Sequence, residues 1–104
     1  MTTTTFECRL DVFESTERRR YAALRAAMKA AVTEIRELSN GYAARLTSDP
    51  ALFQQVAEWI TLERRCCPFL TLGLDWSAGD GVWLRLTGGP GVKTYLAGAL
   101  AARS

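Results

Sequence analysis

Apolar residues recur along this chain with two different periods, and the changes between them predict its secondary structure. From Phe6 to Phe13 apolar and polar residues alternate, which predicts a half-buried strand with Cys8 on its apolar side. From about Thr16 to Val32 apolar residues recur every three or four positions, which predicts a helix capped by Ser15. The chain therefore begins with a strand followed by a helix.

The next segment reads as a β-hairpin. Thr33–Leu38 and Tyr42–Leu46 flank Ser39-Asn40-Gly41, and an Asn-Gly pair supplies the positive φ values of a two-residue turn. That turn places Ile35 on one face of the hairpin together with the apolar residues of the second strand, Tyr42, Ala44 and Leu46.

A second helix follows, with Asp49 as its N-cap and Pro50 at its first position. Pro68 disfavours helical dihedrals at the residue before it, so this helix should end at about Arg65 or Cys66. Its buried stripe is predicted from three apolar residues at helical spacing, Leu52, Val56 and Ile60.

The last third of the chain predicts a second pair of strands and a short helix. Phe69–Trp76 alternate, Ser77–Gly81 form a turn, Val82, Leu84 and Leu86 mark the returning strand, and a helix runs from Val92 to about Ala101. The element order β-α-β-β-α-β-β-α predicts a single α+β domain over residues 1–104. We expect an antiparallel sheet of about five strands with helices mainly on one face.

Composition excludes several classes of function. A net charge of +2, with its cations scattered, gives no footprint for nucleic acid, and no apolar run approaches the roughly 20 residues that span a bilayer. The first residues lack the basic and apolar regions of a signal peptide, so we expect a cytoplasmic protein, with a homodimer as one way to bury more surface. An odd count of three cysteines argues against a disulfide framework.

The chain has no histidine, which excludes His-assisted nucleophiles and His metal ligands within one chain. The Gly-rich segment before Lys93 lacks the Gly that directly precedes the Lys of a phosphate-binding loop, so no nucleotide cofactor is expected. Thiols, carboxylates, arginines and backbone groups remain for any chemistry.

The stretch Glu63-Arg64-Arg65-Cys66-Cys67-Pro68 concentrates those groups. At about 100° per residue, Cys67 lies under Ile60 and points to the core, whereas Cys66 lies about 100° away in line with Trp59. Glu63 falls seven positions after Val56, inside the apolar stripe. We therefore expect Glu63 to be partly desolvated with a raised pKa; the alternative is a stripe-edge carboxylate paired with an arginine.

Two thiols at a helix C-terminus lie at the negative end of the helix dipole, so a thiolate there needs compensation. Arg64 and Arg65, or a bound cation, could supply it. We therefore take Cys66, Cys67, Cys8 and Glu63 as candidate ligands of a soft metal ion, with Cu(I), Hg(II), As(III) and Zn(II) all open. Inert buried cysteines remain the alternative.

The segment Leu62–Leu70, with Trp83–Gly88 and Gly91–Lys93 behind it, resembles small bacterial proteins that carry a Glu-x-x-Cys-Cys-Pro-Phe motif. It is also similar to the cysteine-pair tails of some MerR-like heavy-metal-responsive regulators. The resemblance covers roughly Leu46 to Leu96 and implies soft-metal sensing, sequestration or detoxification. A transcription-factor role does not carry over, because no helix-turn-helix segment precedes the motif.

Three functions stay open from the sequence. The first is a cytoplasmic soft-metal-binding protein, in metal resistance, whose ion is held within one chain or across a dimer. The second is a thiol-dependent enzyme for organometal cleavage or thiol redox chemistry, in which Cys66 or Cys67 reacts and Glu63 donates or accepts a proton. The third is a structural or oligomer-forming domain with inert core cysteines; no catalytic residue is assigned.

Overall fold

The computed structural model describes residues 9–101, with backbone alone for residues 99–101. Three α-helices and four strands follow one another in the order αββαββα. Their bounds are α1 Ser15–Ala30, β1 Val32–Leu38, β2 Gly41–Leu46, α2 Pro50–Cys66, β3 Thr71–Ser77, β4 Gly81–Thr87 and α3 Val92–Ala101. The α+β class is confirmed, but the prediction of about five strands is wrong for the described part of the chain.

The predicted first strand accounts for the difference. Its described portion forms a 3-10 turn over Leu10–Val12, in which Leu10 and Val12 are each 41% exposed. Just before it, the Arg9 N–H donates to the Cys66 carbonyl at 2.8 Å, so this backbone joins the end of α2 instead of a strand edge. Residues 1–8, including the predicted strand start and Cys8, lie outside the described residues.

The four strands form one antiparallel sheet in the order β1-β2-β4-β3. Ile35 pairs with Ala44, which pairs with Leu84, so the predicted hairpin and its shared face are confirmed. The predicted positive φ at the turn is wrong, because Gly41 does not adopt it. Gly41 is needed for close approach instead, since a Cβ there would overlap the Leu86 carbonyl oxygen on β4.

One face of the sheet carries the core. Ala44 and Leu46 of β2 and Val82 and Leu84 of β4 join a single buried cluster to which all three helices contribute. The opposite face holds Trp83, whose ring lies 4.3 Å from the Arg36 guanidinium carbon. The three helices all contribute to the core on this one face, as expected from the sequence, whereas the arginine over Trp83 on the other face was not predicted.

Two exposed ion pairs join α1 to α2. The shorter contacts of each pair are 2.7 Å, between Arg20 and Glu58 and between Arg65 and Glu17, and their sequence order makes the two helices antiparallel. The start of α1 differs from the prediction by one residue: Glu14 is the N-cap and its N–H donates to the Glu17 carboxylate at 3.1 Å. None of the helices in residues 9–101 combines the length and apolar character that crossing a bilayer requires.

Candidate metal centre

Helix α2 carries the site on its buried side. Asp49 caps the helix by accepting the Leu52 N–H at 2.9 Å, and Pro50 opens it, as predicted. Its buried residues are Leu52, Val56, Trp59, Glu63 and Cys66. Ile60 is half-buried, so the stripe is rotated toward Trp59 relative to the prediction, and Cys66 lies within the stripe and not on its shoulder. Both cysteines of the pair are fully buried.

The end of α2 brings the second cysteine toward the first. The helix ends at Cys66, and Cys67 leaves the helical region with φ −130° and ψ 67°, as expected for the residue before Pro68. The Cys67 N–H still donates to the Glu63 carbonyl at 2.7 Å, and the Cys67 carbonyl accepts the Leu70 N–H at 3.1 Å. A tight turn after the last helical residue therefore holds both sulfurs inside the fold.

Glu63, Cys66 and Cys67 form a compact cluster of potential ligands. The Cys66 thiol lies 3.5 Å from Glu63 Oε1 and 3.7 Å from Cys67 Sγ. One ligand atom from each of the three residues lies within 4.8 Å of the other two, and all three residues are buried. This buried Glu-Cys-Cys group could hold a metal ion.

Tyr21 of α1 completes the environment of the carboxylate. Its hydroxyl donates to Glu63 Oε1 at 2.6 Å, in a buried hydrogen bond between residues 42 positions apart. The same oxygen accepts the Cys66 thiol, so one carboxylate oxygen links the tyrosine to the thiol. Helical spacing places Tyr21 on the apolar face of α1, and no local spacing relates it to Glu63.

Burial shifts the ionisation of all three groups. Loss of solvent raises the pKa of Glu63, against the lowering effects of its hydrogen bonds with Tyr21 and Cys66. Burial, followed by the nearby Glu63 charge, raises the pKa of the Cys66 thiol to about 11. Burial and the hydrogen bond to Glu63 also raise the pKa of Tyr21, which therefore stays a donor. The expected raised pKa of Glu63 agrees with the structure.

Arg64 and Arg65, which precede the cysteine pair, form hydrogen bonds outside the cluster. Arg64 donates to the carbonyls of Pro68 and Leu70 at 3.2 and 2.9 Å and so holds the turn that follows the helix. Arg65 pairs with Glu17 and also donates to the Val12 carbonyl. The Arg65 guanidinium also interacts electrostatically with Cys66, so these contacts do not choose between the arginines and a bound cation as the source of compensation.

The cysteines differ in oxidation state. Cys66 is a free thiol, whereas Cys67 is disulfide-bonded, which the odd cysteine count did not predict. The third candidate ligand thiol, Cys8, lies outside the described residues. Any metal site that uses both sulfurs of the pair therefore belongs to the reduced protein.

A largely apolar cavity of about 270 Å³ opens beside the cluster. Its charged lining residues are Glu63, Arg25 and Lys29, and Tyr21 and Trp59 line it as well. The indole Nε1 of Trp59 is buried without a hydrogen-bond partner in the described part of the chain. Sequence spacing placed Trp59 in line with Cys66 but did not show the cavity, because its remaining walls come from the sheet and from α1 and α3.

In comparisons with protein-family models, curated proteins and solved structures, this chain matches none of them.

Proposed function

We propose that the reduced protein binds a soft metal ion through Cys66 and Cys67, with Glu63 as the third ligand. The sulfurs supply the preference for soft ions, because thiolates favour Cu(I), Hg(II), As(III) and Zn(II) over hard cations. Three protein ligands leave a further position for solvent or for a ligand of the ion. Cys8 remains a candidate fourth ligand.

The observation that carries this proposal is the spacing of the three ligand atoms. Two sulfurs bound tetrahedrally to one ion at about 2.3 Å are about 3.8 Å apart, and a sulfur and a carboxylate oxygen are about 3.5 Å apart. In the structure, where Cys67 is disulfide-bonded, the distances from Cys66 Sγ to Cys67 Sγ and to Glu63 Oε1 are 3.7 and 3.5 Å. Sulfurs on opposite sides of a linear ion would be about 4.6 Å apart. The spacing therefore favours three or four ligands over linear coordination by the pair.

Proton release accompanies binding at this site. The pKa of Cys66, raised to about 11, keeps its thiol protonated at neutral pH, and an ion must displace that proton to form a sulfur–metal bond. Glu63 Oε1 accepts the thiol hydrogen bond, so it is placed to take up that proton and pass it to solvent, which leaves the carboxylate ionised and able to bind the ion. A cation also offsets the buried negative charge that two thiolates and a carboxylate would otherwise create.

Elemental analysis by plasma mass spectrometry together with native mass spectrometry tests the proposal. Protein treated with a phosphine reductant and exposed to Zn(II), Hg(II) or arsenite should hold one ion per site, and the same spectra report whether one chain or two hold it. Cys66→Ser combined with Cys67→Ser should abolish binding, and Glu63→Gln should weaken it about tenfold or more. Glu58→Gln, an exposed carboxamide control on the same helix, should bind as the wild type does. Unchanged binding by a folded double serine variant would rule the proposal out.

One observation favours a second candidate, thiol–disulfide exchange. The free thiol of Cys66 lies 3.7 Å from the sulfur of disulfide-bonded Cys67, and exchange proceeds by attack of a thiolate on a disulfide sulfur. The raised pKa of Cys66 opposes it, because little thiolate exists at neutral pH. Turnover of a small disulfide substrate that Cys66→Ser abolishes would establish this function instead.

A further inference from the structure

The thiol cluster and the apolar cavity share one residue, Glu63. Its Oε1 lies 3.5 Å from the Cys66 thiol, and the same residue lines the cavity. Leu70, three residues after Cys67, lines the cavity as well. Neither cysteine of the pair lines the cavity itself, so a group bonded to an atom held by the two sulfurs would reach the cavity past the Glu63 side chain.

The cavity has the size and lining of a site for an apolar substituent. Its volume of about 270 Å³ exceeds the roughly 150 Å³ of a cavity known to accommodate benzene. Most of its lining is aliphatic or aromatic, with Leu84, Leu86 and Met28 among these residues, and Arg25 and Lys29 of α1 are its two cationic members. Since the transfer of apolar surface out of water lowers the free energy, such a lining favours an organic group over a hydrated ion.

We propose that the reduced site binds monosubstituted trivalent arsenicals, with arsenic bonded to Cys66 and Cys67 and its single organic substituent in the cavity. This inference rests on the proposed thiolate site and names the class of compound that suits it. An inorganic ion would use the thiols alone, whereas an arsenic atom with one carbon substituent and two exchangeable oxygens can use both the thiols and the cavity.

The binding step is a ligand exchange without a change of oxidation state. A compound R–As(OH)₂ reacts with the two thiols: two arsenic–sulfur bonds form, two arsenic–oxygen bonds break, and the thiol protons leave with the oxygens as two molecules of water. Glu63 accepts the hydrogen bond of the Cys66 thiol and so can carry its proton to the departing oxygen. The disulfide at Cys67 must first be reduced, and a phosphine supplies the two electrons.

Phenylarsine oxide and arsenite form a matched pair of probes, because they deliver the same element with and without an apolar ring. Binding is measured by titration calorimetry on reduced protein from which the phosphine has been removed. Trp59 fluorescence gives a second readout, since this side chain lines the cavity. We expect phenylarsine oxide to change the Trp59 emission and arsenite to leave it nearly unchanged. The variant Trp59→Phe shows which part of the total tryptophan emission comes from Trp59.

Variants that fill the cavity distinguish the contribution of the organic substituent to binding from that of the two sulfurs. Ala44 is buried, lines the cavity and lies on the core face of β2, so Ala44→Leu takes space from the substituent. Ala43→Leu is the matched control, because its side chain lies on the opposite face of the same strand. Ile35→Trp fills the cavity from a 38% exposed position and serves if Ala44→Leu fails to fold.

We expect a cavity-filling variant to lose at least tenfold in affinity for phenylarsine oxide while its affinity for arsenite, or for Zn(II), changes less than twofold. An equal ratio of the two arsenical affinities in wild type and in both filled variants would overturn the inference and leave the metal proposal standing. Absence of binding of every probe to reduced protein would overturn both. Binding of phenylarsine oxide alone, lost on filling the cavity, would support the inference and refute the site for inorganic ions.

Discussion

The hydrogen bond from Tyr21 to Glu63 allows a quantitative test of the cluster. Tyr21→Phe removes one oxygen and leaves the ring, which lies 5.3 Å from the Phe13 ring between centroids, in its packing position. The lost bond is short, at 2.6 Å, and both residues are about 5% exposed. A buried hydrogen bond to a charged group contributes about 1.5–3 kcal/mol, so we expect Tyr21→Phe to lower the free energy of unfolding by about 2 kcal/mol at pH 8.

Urea unfolding of the metal-free, reduced protein measures this change, with an unaltered dependence on urea as the sign that the fold is kept. Tyr42→Phe is the matched control: its ring lines the same cavity, and its hydroxyl forms no hydrogen bond within residues 9–101. We expect that control to change stability by less than about 0.5 kcal/mol. A double-mutant cycle with Glu63→Gln assigns the coupling to the pair.

The cost of Tyr21→Phe should also depend on pH. Removing the hydroxyl takes away a contact that lowers the pKa of Glu63, so Glu63 should stay protonated to a higher pH in the variant than in the wild type. The cost should therefore be largest where Glu63 is ionised and smaller where it is protonated. A Tyr21→Phe cost under about 0.5 kcal/mol at pH 8 would refute the reasoning, because the bond would then contribute no more than an exposed one.

Three further predictions follow from the pKa shifts and the packing. Because the folded-state pKa of Glu63 is raised above 4.5, the stability that its protonation contributes is complete below pH 4.5 and is lost as pH rises through the folded pKa. The stability difference between wild type and Glu63→Gln, measured by urea unfolding from pH 4 to 8, should show that loss. A pH-independent difference would contradict the prediction. Gly41→Ala should destabilise the protein by more than about 2 kcal/mol because its Cβ would overlap the Leu86 carbonyl, whereas Gly89→Ala, with open space around it, should change little; thermal unfolding of the two compares them directly. Metal affinity should rise about tenfold per pH unit between pH 6 and 8 for each thiol proton released, since the pKa of Cys66 is about 11, and a competition titration that shows no pH dependence would exclude Cys66 as a ligand.

Several parts of the site were readable from the chain itself. Glu63 stands out because a carboxylate seven positions after Val56 interrupts a helical apolar pattern, and the structure buries it to 5% exposure. The end of α2 was also predictable, since Pro68 constrains Cys67 whatever surrounds it. The hairpin between β1 and β2 was predicted from its Asn-Gly turn, although the conformation of Gly41 was not.

Other predictions failed because they depended on distant contacts. Alternation over Phe6–Phe13 indicated a strand, but in its described part, residues 9–13, the chain forms a 3-10 turn and the Arg9 N–H bonds to the end of α2. The prediction that Cys66 lies about 100° away from the buried stripe was wrong because Trp59, Glu63 and Cys66 are themselves buried residues of α2. Helical periodicity gives the relative angles of residues but not which side faces the core.

The sequence alone determined the α+β class, the position where α2 ends and the concentration of two thiols and a carboxylate within five residues, because these follow from local dihedral preferences and spacing. The tertiary structure decided the surroundings of that cluster and therefore its ionisation. It brought Tyr21 onto Glu63 across 42 positions, turned Arg64 and Arg65 toward other partners, and enclosed an apolar cavity behind the carboxylate. These features arise from desolvation and from packing between distant elements, which no local pattern of residues encodes.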